Sequence, residues 1–226
     1  MKERLKLTKA STTVKVDGTL YRSIAGGLRY IVHMRPDIAF AVGYVSRFME
    51  DPREDHWAVV KWLLWYVKRM VDQVIVFPKT GGGSGLRLTV SSNADMAGDI
   101  DGRRSTSGLL VFLGLAPISW LSLKQMVVAL STCEAEYVAM ATAVCQAVWL
   151  CRLLSEQTGE EACPPALMVD NYPAITPAKN PILHDRSKHI DVKFHFLRDC
   201  VDGGQIVIEF VETGRQLADI LTKSLG

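Results

Sequence analysis

The sequence has few cysteines, and their arrangement excludes the common cysteine-based sites. The 226 residues include five cysteines, and none of them has the C-x-x-C spacing of zinc or redox motifs: Cys133, Cys145, Cys151, Cys163 and Cys200. An odd number of cysteines without a recognisable signal peptide predicts reduced thiols in an intracellular compartment, either the cytoplasm or the nucleus.

Long apolar runs and a strong net charge are also lacking. We take residues 57–70, WAVVKWLLWYVKRM, as the most apolar segment, and Lys61 interrupts it. We therefore expect no membrane span and no membrane partner. The net charge is only +2, yet residues 1–80 carry 14 Lys and Arg against 8 Asp and Glu, and the remainder carries 12 against 16. This asymmetry is consistent with a nucleic-acid-binding surface beside a metal site. It is equally consistent with chance variation in the number of charged residues on solvent-exposed faces.

A glycine-rich segment, PKTGGGSG at residues 78–85, separates two kinds of apolar spacing and predicts a linker. Residues 1–77 have helical spacing in TLYRSIAGGLRYIVHM, in RPDIAFAVGYVSRFM and in a third segment that begins at DPREDHW. There Asp51 is the predicted cap, with Glu54 completing a capping box. The apolar stripe of this third helix comprises Trp57, Val60, Leu64, Val67 and Val71. Trp62 and Trp65 fall off the stripe, which indicates either a contact with a partner or second unit, or an unconstrained surface.

Residues 86–226 follow a different pattern, in which strands come first and then alternate with helices. LRLTVSS, TSGLLVFLG and part of APISWLSLKQMVVAL are predicted strands, followed by a long helix from about Cys133 to Leu154. ALMVD and QIVIEFVE are two further strands, separated by a helix in RSKHIDVKFHFLRDCVDGG and followed by a terminal helix in RQLADILTKSL. The predicted fold class is therefore α/β, with a five-stranded mixed sheet flanked by helices.

Several acidic residues stand where these elements begin or end. Glu136 lies in the first turn of the long helix, Asp170 ends the fourth strand, and Asp219 opens the last helix. Carboxylates that converge in this way repel one another unless a hard cation such as Mg²⁺ or Mn²⁺ neutralises them. Surface acids are common, so spacing alone is weak support for a metal site. The spacing S-x-x-E assigns Glu134 to capping the helix from Ser131 and leaves Glu136 facing inward.

Five segments, in this order, resemble the ribonuclease H domain of copia-type LTR-retrotransposon Pol polyproteins: DMAGDIDGRRSTSG, SWLSLKQMVVALSTCEAEY, VDNYPAI, SKHIDVKFHFLRD and QLADILTK. The earlier segment DGTLYRSIAGGLRYIVHMRPDIAFAVGYVSRFM is similar to the thumb-like end of the reverse transcriptase of such elements. The resemblance covers nearly the whole chain, and the ordered set is specific although single motifs such as D-x-A-G are weak.

This resemblance implies a ribonuclease H-like sheet preceded by a thumb- or connection-like helical segment. It implies cleavage of the RNA strand of an RNA–DNA hybrid by two Mg²⁺ or Mn²⁺ ions, in the virus-like particle of the ancestral element and with the remainder of a reverse transcriptase as a further partner. The catalytic positions of the family fall on Asn93, Glu136, Asp170 and Asp219, and the last three would be metal ligands.

The sequence departs from the family at Asn93, where the family has aspartate. Asparagine keeps the shape and one acceptor oxygen but loses the negative charge, so we predict an impaired site. Asp95 points to the same side of the strand as Asn93 but lies roughly 6–7 Å along it, too far to replace it. Asp99 also follows the strand. A second departure is Pro177, which stands where the family has a helical residue.

Three functions remain open from the sequence. The chain is a weakened ribonuclease H-type endonuclease, a catalytically dead module that binds nucleic acid through Arg103, Arg104 and Lys124, or an inert transposon remnant. The sequence contains no Y-x-D-D-like polymerase motif and no protease or integrase signature, so polymerase activity is excluded. We expect no metal-binding role for the histidines of LHDRSKHIDVKFHF: His184, His189 and His195.

Overall fold

The computed structural model describes residues 6–78, 87–171 and 188–224. The first stretch is helical, with α1 (Gly18–Ile31), α2 (Ala39–Val45) between the short 3₁₀ helices Pro36–Ile38 and Ser46–Phe48, and α3 (Glu54–Arg69). The later stretches contain β1 (Leu88–Ala94), β2 (Thr106–Leu113), β3 (Ala116–Lys124), α4 (Thr132–Thr158), β4 (Ala166–Val169), α5 (Lys188–Asp202) and β5 (Val207–Phe210). Two 3₁₀ helices, Thr213–Arg215 and Leu217–Leu221, follow β5.

The helices of the first stretch pack around their own apolar core. Asp17 caps α1, because its carboxylate accepts the backbone amides of Thr19 and Leu20 at 2.8 and 3.2 Å. Tyr21 is fully buried in this core, and its hydroxyl donates to the carbonyl oxygen of Val45 at 2.9 Å. The buried apolar side chains from all three helices thus form one contiguous cluster.

The predicted second helix is present, because residues 36–48 are helical without a break and the seven-residue α2 has a 3₁₀ turn at each end, the first of which begins at Pro36. The predicted cap of the third helix is wrong. Asp51 does not cap the third helix, which begins at Glu54. Asp51 instead binds the guanidinium of Arg53 at 2.7 Å, and the backbone amide of Arg53 donates to Nδ1 of His56 at 3.1 Å. The carboxylate of Asp51 is therefore engaged by Arg53 and by Lys15, whose ammonium group lies 3.1 Å from Oδ1 of Asp51, and it does not cap α3.

The predicted apolar stripe of α3 is also displaced. The structure buries His56, Val59, Val60 and Leu63, whereas Leu64 of the predicted stripe is exposed. The imidazole of His56 stacks on the ring of Phe48 with centroids 4.0 Å apart, and this aromatic contact turns the helix toward a face that includes a polar residue. A prediction based only on the spacing of apolar residues does not include His56 and therefore places the buried face of α3 incorrectly.

Trp62 is partly buried against the core of this helical stretch, whereas Trp65 lies at its surface. Trp62 stacks on Tyr66 with ring centroids 5.8 Å apart, and Trp65 is half exposed with the guanidinium of Arg69 over its ring at 3.7 Å. Both tryptophans therefore have partners on α3 itself, and the contact with a second unit or a partner stays a prediction.

The five strands form one mixed sheet in the order β3-β2-β1-β4-β5. β1 and β2 pair antiparallel, as do β2 and β3, whereas β4 pairs parallel with both β1 and β5. The fold class predicted from the sequence, an α/β fold with a mixed sheet of five strands flanked by helices, is confirmed. Because β1 and β4 are parallel neighbours, their carboxyl ends meet at the same edge of the sheet.

Strand β2 is covered on both faces, which explains its nearly continuous apolar sequence. Leu109 and Val111 belong to the core that α4 and α5 share with the sheet. Leu110 points to the other face, where it packs with Ala39 of α2 and with Leu221. The helical stretch and the last 3₁₀ helix therefore both rest on the face of the sheet opposite α4.

The predicted terminal helix is a short 3₁₀ helix rather than an α-helix. The amide of Asp219 donates to the carbonyl of Gln216 at 3.3 Å, and the amide of Thr222 donates to that of Asp219 at 3.1 Å. These bonds span three residues and give a tighter turn than an α-helix. Ala218 and Leu221 are fully buried by this turn.

Helix α4 has 27 residues and, by length and composition, could cross a membrane. The sequence reading overlooked this segment, because it took residues 57–70 as the most apolar part. The buried side chains of α4, among them Tyr137, Met140 and Val144, pack in the core formed with the sheet. The packing therefore explains the apolar composition of α4 as that of a central core helix.

Candidate active site

The structure brings the four predicted site residues to one end of the sheet. Asn93 is the penultimate residue of β1, and Asp170 directly follows the parallel neighbour β4. Glu136 lies in the first turns of α4, and Asp219 lies in the 3₁₀ helix Leu217–Leu221. We call these four residues, Asn93, Glu136, Asp170 and Asp219, the acidic cluster.

Asp219 is brought to the cluster by two residues that the sequence reading missed. The side-chain amide of Gln216 donates to the carbonyl oxygens of Ser92 at 3.0 Å and of Met168 at 3.3 Å, so it joins the ends of β1 and β4. Gly108 of β2 lies opposite Asn93, and a Cβ atom there would lie 2.7 Å from the carbonyl oxygen of Ala218. Only glycine lets the 3₁₀ helix approach β2 this closely.

The side chain of Asn93 is directed at Asp219 through its amide nitrogen. Nδ2 lies 3.1 Å from Oδ1 of Asp219 and 3.3 Å from the hydroxyl oxygen of Thr222, and Asn93 is buried. An ionised carboxylate only accepts hydrogen bonds, so the contact with Asp219 fixes which end of the amide faces it. A neutral donor thus stands where the resemblance predicts an acidic metal ligand.

Glu136 is the most perturbed member of the cluster. The pKa of Glu136 is raised from 4.5 to about 8, mainly by burial and in addition by repulsion from Asp170, Asp219 and Asp95, while a backbone hydrogen bond from Ala94 opposes the rise. Its Oε2 atom is buried and has no hydrogen-bond partner in the described part of the chain. The carboxyl group therefore favours its protonated form near neutral pH unless a cation is supplied.

The predicted division between Glu134 and Glu136 agrees with the geometry. The backbone amide of Glu134 donates to the hydroxyl of Ser131 at 3.2 Å, and Oε2 of Glu134 accepts the backbone amide of Leu130 at 2.9 Å. Glu134 therefore satisfies backbone groups at the start of α4 and Glu136 belongs to the cluster.

Asp219 carries a second internal donor. The ammonium group of Lys223 forms an ion pair with Oδ2 of Asp219, four residues earlier in the chain. Together with the Asn93 amide on Oδ1, this contact gives each oxygen of Asp219 a partner from the protein.

These contacts decide whether the residues fit the two metal ions that the resemblance implies. The repulsion at Glu136 and its unpartnered oxygen are properties of a cation-binding cluster. Against this, within residues 6–78, 87–171 and 188–224 no group of three or more His, Cys, Asp or Glu side chains is arranged to hold a metal ion. With Asp219 held by an amide and an ammonium group, the side chains as arranged do not fit a two-ion site.

Asp95 does not replace Asn93 in this arrangement. Its carboxylate accepts a short hydrogen bond from the backbone amide of Thr106, across the start of β2. Burial raises the pKa of Asp95 from 3.8 to about 6, a rise that the hydrogen bond from Thr106 opposes. Asp95 is thus engaged in closing the β1–β2 connection and contributes repulsion to Glu136.

Asp99 and the predicted nucleic-acid contacts lie beside the cluster. Asp99 is buried between the guanidinium of Arg47 at 3.3 Å and the ammonium of Lys124 at 3.2 Å. Arg103 is exposed with a φ of 51°, and Arg104 is half-buried. The structure contains no nucleic acid, so contacts through Arg103, Arg104 and Lys124 stay predictions. Pro177 and His184 lie outside the described residues, the side chain of His189 lies outside the described side chains, and His195 is exposed.

Comparison with known proteins identifies the class and then the family. No protein-family model matches the chain. The chain is 42% identical over 221 residues to the retrovirus-related Pol polyprotein from transposon RE2 of Arabidopsis thaliana, covering 98% of this chain and 15% of that polyprotein. It is 42% identical over 226 residues to the retrovirus-related Pol polyprotein from transposon TNT 1-94 of Nicotiana tabacum, covering 97% of this chain and 17% of that polyprotein.

Among solved structures, the N-terminal RNase H domain of Rv2228c from Mycobacterium tuberculosis is 14% identical, with a TM-score of 0.45 over 61% of this chain and 91% of that chain. The sheet and its acidic edge define a ribonuclease H-like domain. The chain belongs to the retrovirus-related Pol polyproteins of copia-type transposons. It spans about 15–17% of the length of these two relatives.

Proposed function

We propose that this chain is a ribonuclease H-type domain in which hydrolysis of the RNA strand of an RNA–DNA hybrid is strongly impaired. The family membership supports the reaction class, with two Mg²⁺ or Mn²⁺ ions as the cofactors of the ancestral reaction. The geometry supports the impairment, because the acidic cluster as arranged in this chain does not fit two ions.

The observation that carries the proposal is the contact between Asn93 and Asp219. The amide nitrogen of Asn93 lies 3.1 Å from Oδ1 of Asp219. An aspartate at position 93 would face Asp219 as a second carboxylate, and such a pair requires a cation between or beside the two groups. With asparagine at position 93, a hydrogen bond to Asp219 stabilises this carboxylate and no cation is required between the two side chains.

The test is cleavage of a fluorescently labelled RNA–DNA hybrid by the unaltered chain and by Asn93→Asp, in Mg²⁺ and in Mn²⁺. We expect very low or no cleavage by the unaltered chain, and a gain on the order of 100-fold or more with Asn93→Asp, because one missing charge-stabilising group costs roughly 100- to 1,000-fold. Equal cleavage by the two proteins would refute the impairment.

Two further variants control this test. Asp170→Asn in the Asn93→Asp protein should abolish the gain, since both carboxylates would serve the same ions. Asp95→Asn should leave the restored activity largely unchanged, because the Asp95 carboxylate is occupied by the Thr106 amide. A complete loss with Asp95→Asn would instead identify Asp95 as a ligand.

A second candidate function is a binding module without catalysis. It is favoured by the two internal partners of Asp219, which neutralise part of the cluster without an added cation. The exposed Arg103 beside the end of β1 supplies a phosphate contact for a hybrid. Hybrid binding that weakens with salt and is reduced by Arg103→Gln supports this candidate, and absence of both binding and cleavage supports an inert remnant.

A further inference from the structure

A pocket of about 530 Å³ lies between the C-terminal turns of α4, the segment that leads into β4 and the turn before β5. Two cysteines line it, Cys151 on α4 and Cys163 on the segment before β4, and we call it the thiol pocket. Cys151 follows Glu136 of the acidic cluster by about 22 Å of helix, so the two sites are separate. The volume is within the range of roughly 300–1,000 Å³ that is typical of clefts for small molecules.

The chain reverses at the end of α4 and returns along the helix. Gly159 ends α4 in the left-handed conformation, with a φ of 73°. The hydroxyl of Ser155 then accepts the backbone amide of Ala162 at 3.0 Å and donates to the carbonyl oxygen of Cys151 at 3.0 Å. Ser155 therefore fixes the returning segment against the turn of α4 that carries Cys151.

This reversal brings the two cysteines together. Sγ of Cys151 lies 3.8 Å from the carbonyl oxygen of Cys163. The α-carbon of a residue lies about 2.4 Å from its own carbonyl oxygen, so the α-carbon of Cys163 is at most about 6 Å from this sulfur atom. Because a disulfide joins α-carbons that are roughly 4.4–6.8 Å apart, a bond between the two sulfur atoms requires only a small movement of the Cys163 segment.

The two thiols differ in their accessibility and in their acidity. Cys163 is exposed, whereas Cys151 is half-buried. The pKa of the Cys151 thiol is raised above its usual value, mainly by burial and in addition by repulsion from Cys163 and Glu161. The thiolate is the nucleophile in thiol–disulfide exchange, so Cys163 is the thiol that reacts first with a reagent in solution, and Cys151 is placed to react second.

Among the described residues, the other three cysteines do not share this arrangement. Cys133 is partly buried against the core of the sheet, and Cys200 is only 4% exposed. Cys145 is exposed, but the cysteine beside it is Cys200, which reagents in solution do not reach. An exposed thiol next to a second reachable thiol is therefore found at the thiol pocket.

We propose that Cys163 and Cys151 form a dithiol site that reacts with small disulfides, such as oxidised glutathione, and closes an intramolecular disulfide. The Cys163 thiolate attacks one sulfur of the reagent, the S–S bond of the reagent breaks, and one thiolate leaves. Cys151 loses its proton to water, attacks the Cys163 sulfur and displaces the second thiolate. The two protein thiols thereby lose two electrons and two protons, and the reagent is reduced to two thiols.

The new bond links the end of α4 to the entrance of β4, and an excess of a small thiol reverses it. The reaction needs no metal ion and no nucleic acid, so it does not depend on the acidic cluster. It gives this part of the fold a covalent link that forms under oxidising conditions and opens under reducing ones.

The test is incubation of the full chain with oxidised glutathione at about pH 8, followed by alkylation of the remaining thiols and intact mass spectrometry. The parent protein is Cys145→Ser, which lacks the other exposed thiol. We expect the parent to lose two alkylatable thiols without gaining a glutathionyl group. Cys163→Ser in this parent should keep its Cys151 thiol. Cys151→Ser should stop at the first step and carry one glutathionyl group on Cys163.

Two comparisons control this experiment. The unaltered chain should form the same Cys151–Cys163 link, identified by peptide mapping, which shows that Cys145→Ser does not create it. Cys151→Ala should stop at the mixed disulfide as Cys151→Ser does, which excludes an effect of the serine hydroxyl in the pocket. The oxidised parent should have a Tm higher by roughly 5 °C or more, and dithiothreitol should remove this increase, because the bond closes a loop of about 13 residues.

Three outcomes would overturn the proposal. In the first, the parent keeps a glutathionyl group on Cys163 although Cys151 is present. In the second, Cys163→Ser loses its Cys151 thiol as fast as the parent does. In the third, the oxidised and reduced forms of the parent have the same Tm. Thiol counts, masses and Tm values require no cleavage of a hybrid, so failure here is distinct from failure of the proposed function.

Discussion

Asp99 and Glu136 are two buried carboxylates with opposite surroundings, although they are 5% and 6% exposed respectively. Asp99 has a cation at each oxygen, Arg47 at 3.3 Å and Lys124 at 3.2 Å, and also accepts the backbone amide of Gly102 at 2.8 Å. Among the described residues, Glu136 faces other carboxylates instead, and its Oε2 atom has no hydrogen-bond partner. Cations of the protein thus neutralise the charge of Asp99, whereas the charge of Glu136 requires a proton or an added ion.

This difference distinguishes a carboxylate that stabilises the fold, Asp99, from one that we propose belonged to a reaction centre, Glu136. Arg47 follows α2 and Lys124 ends β3, so Asp99 holds the helical stretch against the sheet. Asp99 is surrounded by donors, whereas Glu136 has neighbouring carboxylates and a raised pKa, which is the more typical property of a group kept for chemistry. Burial alone does not distinguish the two.

The largest expected effect is the loss of the Asp99 pairing. Asp99→Ala should lower the free energy of unfolding by about 3–5 kcal/mol, because it leaves two cations without their buried partner. Urea unfolding monitored by circular dichroism measures the change. Arg87→Ala is the control, since Arg87 pairs with Glu209 at 3.0 Å on the surface and should cost less than about 1 kcal/mol. Equal losses in the two variants would contradict a structural role for Asp99.

The next effect concerns Glu136 and has a defined dependence on pH. A carboxyl group whose pKa rises from 4.5 to about 8 on folding binds its proton more tightly in the folded state. Its contribution to stability is therefore fully present below about pH 4.5 and is lost as the pH rises to about 8. Asp95, with its pKa raised from 3.8 to about 6, contributes with the same sign at lower pH.

Glu136→Gln should consequently stabilise the protein at pH 8.5, on the order of 3 kcal/mol, and have little effect at pH 4.5. Urea unfolding at both pH values, without divalent ions, measures this difference. Glu156→Gln changes an exposed glutamate of the same helix and should give no comparable gain at either pH. A gain of the same size at both pH values would show that ionisation of Glu136 is not the cause.

A third effect tests how the cluster is assembled. Gly108→Ala would place a methyl group 2.7 Å from the carbonyl oxygen of Ala218 and 2.8 Å from Cβ of Leu221. This overpacking should cost about 1–3 kcal/mol and displace Asp219 from Asn93. Gly26→Ala in α1 is the control, because nothing lies within 4 Å of its added Cβ, and it should stabilise by about 0.4–1 kcal/mol. Thermal unfolding of both variants measures the difference, and a Gly108→Ala protein as stable as Gly26→Ala would refute the close approach.

Local patterns predicted the strands and the positions of Glu134 and Glu136, because each depends on residues a few positions apart. The partners of Asp99 could not be predicted, since Arg47 is 52 residues away and its contact arises only when α2 packs on the sheet. Asp51 was misassigned as a cap because its carboxylate pairs with Lys15, which is distant in the chain, and with Arg53, and because α3 begins only at Glu54. Gly108 could be interpreted only once the register with Asn93 was known.

The smallest expected effect on stability belongs to Lys223. Its ion pair with Asp219 gives that carboxylate one cationic partner, whereas Asp99 has two. The lysine side chain is largely exposed, so Lys223→Gln should change the free energy of unfolding by less than about 1 kcal/mol.

Cation binding is the sharper measurement for this lysine. In the Asn93→Asp background, Lys223→Gln should strengthen Mn²⁺ binding about tenfold, because an ammonium group about 6 Å from a divalent cation opposes it by roughly 1.4 kcal/mol at the dielectric constant of water, which suits this exposed lysine. Isothermal titration calorimetry with Mn²⁺ measures this affinity without any cleavage step. Arg215→Gln, which removes an exposed arginine from the neighbouring 3₁₀ helix, is the matched control and should leave the affinity nearly unchanged. If both variants bind Mn²⁺ with the affinity of the Asn93→Asp protein, Lys223 does not compete with the ion. In the unaltered chain, the contact with Asn93 would then be the single internal contact that keeps Asp219 from binding a cation.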